Sequence, residues 1–267
     1  MRSLNNGSST RRVVDPYRAT VVLEPMFANP DYRRKRLSPK PGEPGYMHRA
    51  DLLLALRSES TNEKPNILDF GAGVSPYRSL FPNSEYRRAD IVDFDAVDYV
   101  IDKNGLVPEQ SKVFDMVLST QVLGHVEDPN IYLSECFRLL RPAGKLLLST
   151  HGLFEDNDCP RDFRRWTADG LRCDLEKAGF KPIVIHKLTT GPRAVMFFLE
   201  RYVYTMAASR KTLPGLVHWT SATLFQRFHR RIHVLMDRHY SGHRFVPSEM
   251  PNHNIYVALF ACAQRPL

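Results

Sequence analysis

At 267 residues, with 43% hydrophobic and 10% aromatic positions, the chain can bury one large α/β core or a smaller domain with appendages, a globular composition rather than a disordered one. No apolar run approaches the roughly 20 residues a membrane-spanning helix needs, the longest being VMFFL and VALFACA, and the polar first 30 residues lack the apolar segment of a signal peptide. Cys136, Cys159, Cys173 and Cys262 form no C-x-x-C pair and read as reduced thiols of a cytoplasmic protein, while a net charge of +8 permits an anionic partner without naming one.

In chain order, residues 1–48 read as a basic, partly disordered extension rich in Pro, Ser, Asn and Gly, and residues 49–267 as the folded domain. The extension includes RRKR at 33–36, which suits phosphate, anionic lipid or simply solvent. HRADLLLALRSES has helical spacing, with Leu52, Leu53 and Leu56 on one side. Apolar bursts follow at PNILDF, YRRADIV, VDYVID and FDMVLST. Next come a helical stretch, PNIYLSECFRLLRPAG, closed by its Pro-Ala-Gly turn, and a fifth burst, KLLLST. Short apolar bursts alternating with helices predict an α/β, doubly wound, Rossmann-like fold: a seven-stranded, mostly parallel sheet with helices on both faces. KPIVIHKL and NIYVALFACA supply strands six and seven, and residues 191–247 between them predict a helical insertion.

In such a sheet, ligands bind outside the carboxyl ends of the strands. Strand one ends in Asp69 with Gly71 and Gly73, strand two in Asp90 beside Ile91, strand three in Asp102, strand four near Gln121 and strand five near His151. Three successive acidic ends would repel a pyrophosphate, and Pro76 stands where a dinucleotide fingerprint has its third glycine. A cationic ligand carrying an amine, a ribose and a base fits better, and S-adenosylmethionine is such a ligand. Asp90 can accept from both ribose hydroxyls, Asp69 from the methionyl amine and Asp102 from the adenine amino group, while Gly71 and Gly73 admit close backbone approach. Ser75 and Pro76 suit the cap and first turn of a following helix.

ILDFGAG at 67–73, FDMVLSTQVLGHVEDP at 114–129, YLSECFRLLRPAGKLLLST at 132–150 and CPRDFRRWTADGLRCDLEKAGF at 159–180 occur in order. With them the chain resembles the class I S-adenosylmethionine-dependent methyltransferases, in the type 11-like branch. The departures are Gly124, where many relatives have Glu, and Ala143 in place of a turn glycine. The resemblance implies methyl-transfer activity with S-adenosylmethionine as cofactor, and binding roles for Asp69, Gly71, Gly73, Asp90, Ile91, Asp102 and Gln121. The departing thioether needs no proton, so a base is required only if the acceptor must lose one; His151 and His125 are the candidates. By resemblance the PRDFRRWT loop lies beside the active site, where Asp162, Arg165 and Trp166 could read the acceptor, or else form an ion pair and a core contact. That acceptor is expected to be a small or medium-sized molecule, and relatives with this type of loop point to a sugar, glycan or lipid-linked precursor. The alternative is a non-catalytic S-adenosylmethionine-binding scaffold. No motif for extruding a nucleic-acid base is present.

In the insertion, Leu224, Phe225, Phe228, Ile232 and Leu235 predict one apolar helix stripe, with Arg227, Arg230, Arg231 and Arg238 away from it. Such a helix could lie on a membrane surface, cover the domain's own pocket or form a homodimer face, so the expected location is cytoplasmic, with peripheral membrane contact one of these options. His229 and His233 have metal-ligand spacing, but without a zinc-protease carboxylate no metal site is expected.

Overall fold

The computed structural model describes residues 29–61, 63–93, 97–157, 161–205 and 213–267; Cys159 and the first 28 residues of the predicted extension lie outside them. Seven of the strands are the expected ones: β1 (Asn66–Phe70), β2 (Glu85–Asp90), β3 (Tyr99–Val100), β4 (Phe114–Thr120), β5 (Leu140–His151), β6 (Ile183–Thr190) and, last in the chain, β8 (Tyr256–Gln264). An eighth, β7 (Phe245–Pro247), corrects the expected count of seven: it adds a three-residue edge beside β6. The spatial order is β3-β2-β1-β4-β5-β8-β6-β7, with β8 antiparallel to both neighbours. The chain runs outward from β1 to β3 and returns to β4 beside β1, which places the switch point between β1 and β4.

Alternation along the strands divides the core. Ile67, Leu118 and Leu147 point toward helix α2 (Tyr46–Ser58), into a cluster with Leu52, Leu53 and Leu56. Leu68, Val117, Leu146 and Leu148 point the other way, toward α3 (Pro129–Leu139) and α4 (Ala168–Lys177), meeting Leu133, Cys136, Leu171 and Leu175. Asp128 caps α3 by accepting from the Asn130 N–H at 3.0 Å, and Thr167 caps α4 by accepting from Gly170 at 3.1 Å.

Two local expectations change. Arg141, Pro142 and Ala143 already belong to β5; the turn is a bulge where pairing shifts register between Phe114 and Met116, with Ala143 at φ +62°. After the glycine turn there is no α-helix for Ser75 to cap, only one 3₁₀ turn at Arg78–Leu80, and Ser75 itself sits at φ +47°.

Within the predicted extension, the described residues form a helix and a turn. Helix α1 (Asp31–Leu37) leads through a turn into α2, so the expected boundary after residue 48 falls inside that helix. The insertion forms α5 (Gly191–Thr205) and α6 (Leu213–His239). A buried ion network ties these pieces together. Asp51 of α2 accepts from Arg193 of α5 at 2.9 and 3.1 Å and from Arg244 at 2.7 Å; Arg193 also reaches Asp237 of α6 at 2.9 Å. Arg193 and Asp51 are both wholly buried.

The stripe predicted on α6 is split. Phe225 and Ile232 turn partly inward, but the buried line of the helix is His229 and His233, while Leu224, Phe228 and Leu235 are exposed. The reason is a polar partner: Glu200 of α5, itself buried, faces the two histidines and outcompetes the apolar side chains for the interface.

Candidate active site

The strand ends at the switch point open into one cleft of about 900 Å³. Its floor is the turn after β1, where Gly71 (φ +81°) and Gly73 (φ +49°) adopt left-handed backbone conformations. A Cβ on Gly71 would lie 2.5 Å from a Val122 methyl, so geometry and packing both demand glycine. The N–H groups of Gly71 and Ala72 donate to the Ala89 carbonyl, and the Gly73 N–H donates to Asp90 Oδ2 at 2.8 Å. The carboxylate at the end of β2 thus holds the turn in shape while bordering the cleft; burial pushes its pKa up.

Gly71, Gly73, Asp90, Ile91, Asp102 and Gln121 line the cleft together, with Ile101, Val122, Val126 and Ile131 as apolar walls. Asp69 is the predicted cofactor residue that does not line it. Its carboxylate lies behind the turn, accepting from the Tyr86 hydroxyl at 2.7 Å, and burial pushes its pKa up to about 7 despite that bond. Asp102 accepts from the N–H groups of Asn104 and Leu106 at 2.8 and 2.9 Å; the bond from Leu106 is the main cause holding its pKa below the usual range.

Gln121, at φ +60° directly after β4, is the most telling residue of this half. Both polar atoms of its side-chain amide are buried without a protein partner. An orphaned amide on the wall of a cleft is a bond left for a ligand. With a carboxylate at Asp90, close backbone at Gly71 and Gly73, and an apolar slot for a base, these residues fit S-adenosylmethionine.

His151 and His125 also line the cleft. His125 Nδ1 bonds the Arg161 carbonyl at 2.5 Å and its Nε2 lies 3.5 Å from the Asn157 amide, so both ring nitrogens are used in holding the loop after β5. His151 stacks on Phe154 with ring centroids 3.9 Å apart; burial, then neighbouring His48, pushes its pKa down to about 2. It is therefore a neutral imidazole and a weak base.

The expected acceptor residues in the 160–167 loop are not on the cleft, which corrects that reading. Asp162 is bound on both oxygens by Arg165, at 2.5 and 2.6 Å, and Trp166 is buried with its indole N–H on Asp174 at 3.0 Å. The wall beyond the cofactor half is instead made of Tyr32, Arg36, His48, Arg49, Phe154, Phe197 and Arg201. Sequence reading found only the RRKR run among these, because the rest come from an N-terminal segment and an insertion whose path over the cleft no local pattern reveals.

Away from the cleft, Glu200 of a different helix places a carboxylate beside His229 and His233, their ligand atoms lying within 4.8 Å of one another. The Gly42 N–H donates to His233 Nδ1 at 3.0 Å, which leaves the ring proton on Nε2, facing Glu200 Oε2 at 3.3 Å. The Gly45 N–H donates to Glu200 Oε1 at 2.5 Å. Burial raises the Glu200 pKa, but bonds from His229, His233 and Gly45 outweigh it and hold it at about 2. With His233 thus protonated toward Glu200, the cluster clasps the 42–45 turn onto α5 and α6.

A family model described as a methyltransferase domain matches residues 33–184, more than half of the chain. A ubiquinone biosynthesis O-methyltransferase from Xanthomonas oryzae is 46% identical over 55 residues, which cover 20% of this chain and 23% of that protein. The chain therefore matches less than a quarter of the curated relative's length. Among solved structures, the Haloferax volcanii complex of a methyltransferase activator with a methyltransferase contains a chain matched at TM-score 0.54 and 14% identity, over 95% of this chain and 100% of that one. The cyclase SpnF matches at TM-score 0.52 and 17% identity over 94% of both. At these identities the structural matches show the fold alone.

Proposed function

Because the chain belongs to the methyltransferase domain family, we propose that it moves the methyl group of S-adenosylmethionine to an oxygen or nitrogen of a small or medium-sized acceptor. One observation carries this reading over the scaffold alternative. The cleft runs without interruption from Gly71, Gly73 and Asp90, past the unpartnered Gln121 amide, to His151, His48 and Phe197. A scaffold needs only the first half of that path.

When bound, the cofactor supplies an electrophilic methyl group on a sulfonium. The chain's own residues bind and orient. Asp90 would hold the ribose hydroxyls, Gln121 would satisfy its amide on the ligand, and Ile91, Ile101 and Val126 would exclude water from the base. The neutral His151 can accept a hydrogen bond from the acceptor hydroxyl or amine and aim it, so much of the rate would come from positioning. A sugar, glycan or lipid-linked acceptor draws no support from Asp162, Arg165 and Trp166, whose side chains are engaged elsewhere; the length of the cleft is what leaves room for one. Calorimetric titration tests the reading: S-adenosylmethionine or its demethylated product should bind, and Asp90→Ala should weaken binding at least about tenfold. No binding by the wild-type protein would overturn it.

The outward face of α6 supports peripheral contact with an anionic membrane surface in the cytoplasm. Exposed Leu224, Phe228 and Leu235 stand beside exposed Arg227, Arg231 and Arg238, and the free thiols of Cys136, Cys173 and Cys262 suit a reducing compartment. A two-fold homodimer on this face would bring the arginines of two copies together. Flotation should carry the protein with vesicles containing anionic lipid and not with neutral ones; equal recovery with both would rule the reading out.

A further inference from the structure

The acceptor half of the cleft carries more positive charge than its own carboxylates balance. Arg201 is paired with Glu155. Arg36 and Arg49 also line the cleft, and neither forms an ion pair with a carboxylate among the described residues. Arg36 lies 3.5 Å over the Tyr32 ring and donates to the Tyr32 carbonyl. Arg49 donates through Nη2 to the Pro44 carbonyl at 2.5 Å, and its Nε is buried with no partner. The nearest carboxylates are committed: Glu43 binds Arg34, and Glu200 takes the Gly45 N–H and the two histidines.

Two guanidinium groups on one wall repel each other, and burial without an anion adds to the cost. Burial, and then Arg36, lowers the pKa of Arg49; after burial, Arg49 and Arg36 are the main causes that push His48 down to about 3. His48 presents a further unmet bond, since its Nδ1 is buried without a partner. Next to these groups lies a packed cluster of flat rings on the cleft wall: the His48 ring is 5.9–6.0 Å from those of His151, Phe154 and Phe197, and Phe154 stacks on His151 at 3.9 Å.

We infer that Arg36 and Arg49 form an anion subsite for the acceptor, so that the molecule methylated is a planar or ring-bearing compound with a carboxylate or phosphate group. The anion would satisfy the Arg49 Nε–H and meet the half-buried guanidinium of Arg36, groups that suit a two-oxygen anion. The ring would lie in the cleft against the wall formed by His48, His151, Phe154 and Phe197. This inference rests on the methyl-transfer reading for the word acceptor, but the anion subsite itself does not depend on it.

The experiment separates the two. The full chain is saturated with S-adenosylhomocysteine, whose binding reports on the methyl-transfer reading, and is then titrated with benzoate, phenyl phosphate, inorganic phosphate and the neutral analogue benzamide. Benzoate or phenyl phosphate should bind at least about tenfold more tightly than benzamide, and the better of the two identifies the anion. Inorganic phosphate should compete with it. Arg36→Met and Arg49→Met should each abolish the preference while S-adenosylhomocysteine affinity is retained, which also shows that the variants are folded; Arg49→Lys should keep part of it. Benzamide binding as tightly as the anions would overturn the subsite. So would a preference that survives in the double methionine variant, or failure of every anionic probe to bind a protein that binds S-adenosylhomocysteine. If S-adenosylhomocysteine itself does not bind, the methyl-transfer reading fails and the same titrations of the free protein still decide the subsite.

Discussion

The cofactor half of the cleft is made from successive strand ends between Phe70 and Tyr132, so that each of its residues is placed by the strand or turn it belongs to. The acceptor half is assembled from residues 32–49, 151–157 and 197–201, three segments that no single strand or helix brings together. Hydrogen bonds in the sheet fix the first half: Gly71 N–H to Ala89, Gly73 N–H to Asp90 and Gln121 N–H to Ser149 all lie within one sheet and its turns. The second half is held by buried polar clasps between distant helices, Asp51 with Arg193 and Arg244, and Glu200 with His229, His233 and Gly45. A donor site built on the sheet and an acceptor wall built from appendages allow one to change without the other.

If that division is real, breaking a clasp must damage one half and spare the other. Asp51→Asn removes the carboxylate charge that balances the wholly buried Arg193 and, with it, Arg244. Loss of one partner from a buried pair costs about 3–5 kcal/mol. Hydrogen exchange should show the amides of α2, α5 and α6 losing protection, while β1 and β4 keep theirs and S-adenosylhomocysteine affinity changes by less than about threefold. Uniform loss of protection across the sheet would mean that the two halves fold as one unit and that the contrast is only geometric.

The same contrast explains what was legible in the sequence. The strand bursts and the residues Gly71, Gly73, Asp90, Ile91, Asp102 and Gln121 could be placed because short-range patterns determine them, and all six of those residues border the cleft. Asp69 was assigned to the ligand from its position at a strand end, yet which way a strand-end side chain turns depends on its neighbours, here the Tyr86 hydroxyl on the next strand. The Asp162–Arg165 pair could not be told from an acceptor site, since an arginine three residues from an aspartate serves either purpose until the fold shows that they bind each other. The α6 stripe failed for a related reason: apolar periodicity predicts burial only when the facing surface is apolar, and Glu200 comes from a different helix. His48 and Arg49 were hidden for want of any motif, lying in what read as the boundary of an extension.

Acidity offers a finer test, because the two halves should respond to pH with opposite signs. His48 and His151 have folded pKa values of about 3 and about 2, pushed down chiefly by burial from the ordinary 6.5. Below pH 6.5 the unfolded chain takes up protons that the folded acceptor half refuses, so their contribution to stability is whole above that pH and falls as pH drops toward about 3. Asp69 behaves in reverse. Burial pushes it from 3.8 to about 7, so its contribution is whole below 3.8 and is lost as pH rises through about 7. The slope is about 1.4 kcal/mol per pH unit for each fully responding site. Hydrogen exchange corrected for intrinsic rates, compared at about pH 5.5 and about pH 7.5, should therefore show α2 and α5 losing on the order of 1 kcal/mol of protection at the lower pH while β1 and β2 gain. His48→Phe should flatten the response of α2 and leave that of β1 in place. Equal shifts in both halves, or an unchanged α2 profile in the variant, would show that the histidines of the acceptor wall do not titrate apart from the sheet. An anion bound at Arg36 and Arg49 would ease the repulsion that helps keep His48 neutral, so the acid sensitivity of α2 should shrink when benzoate is present.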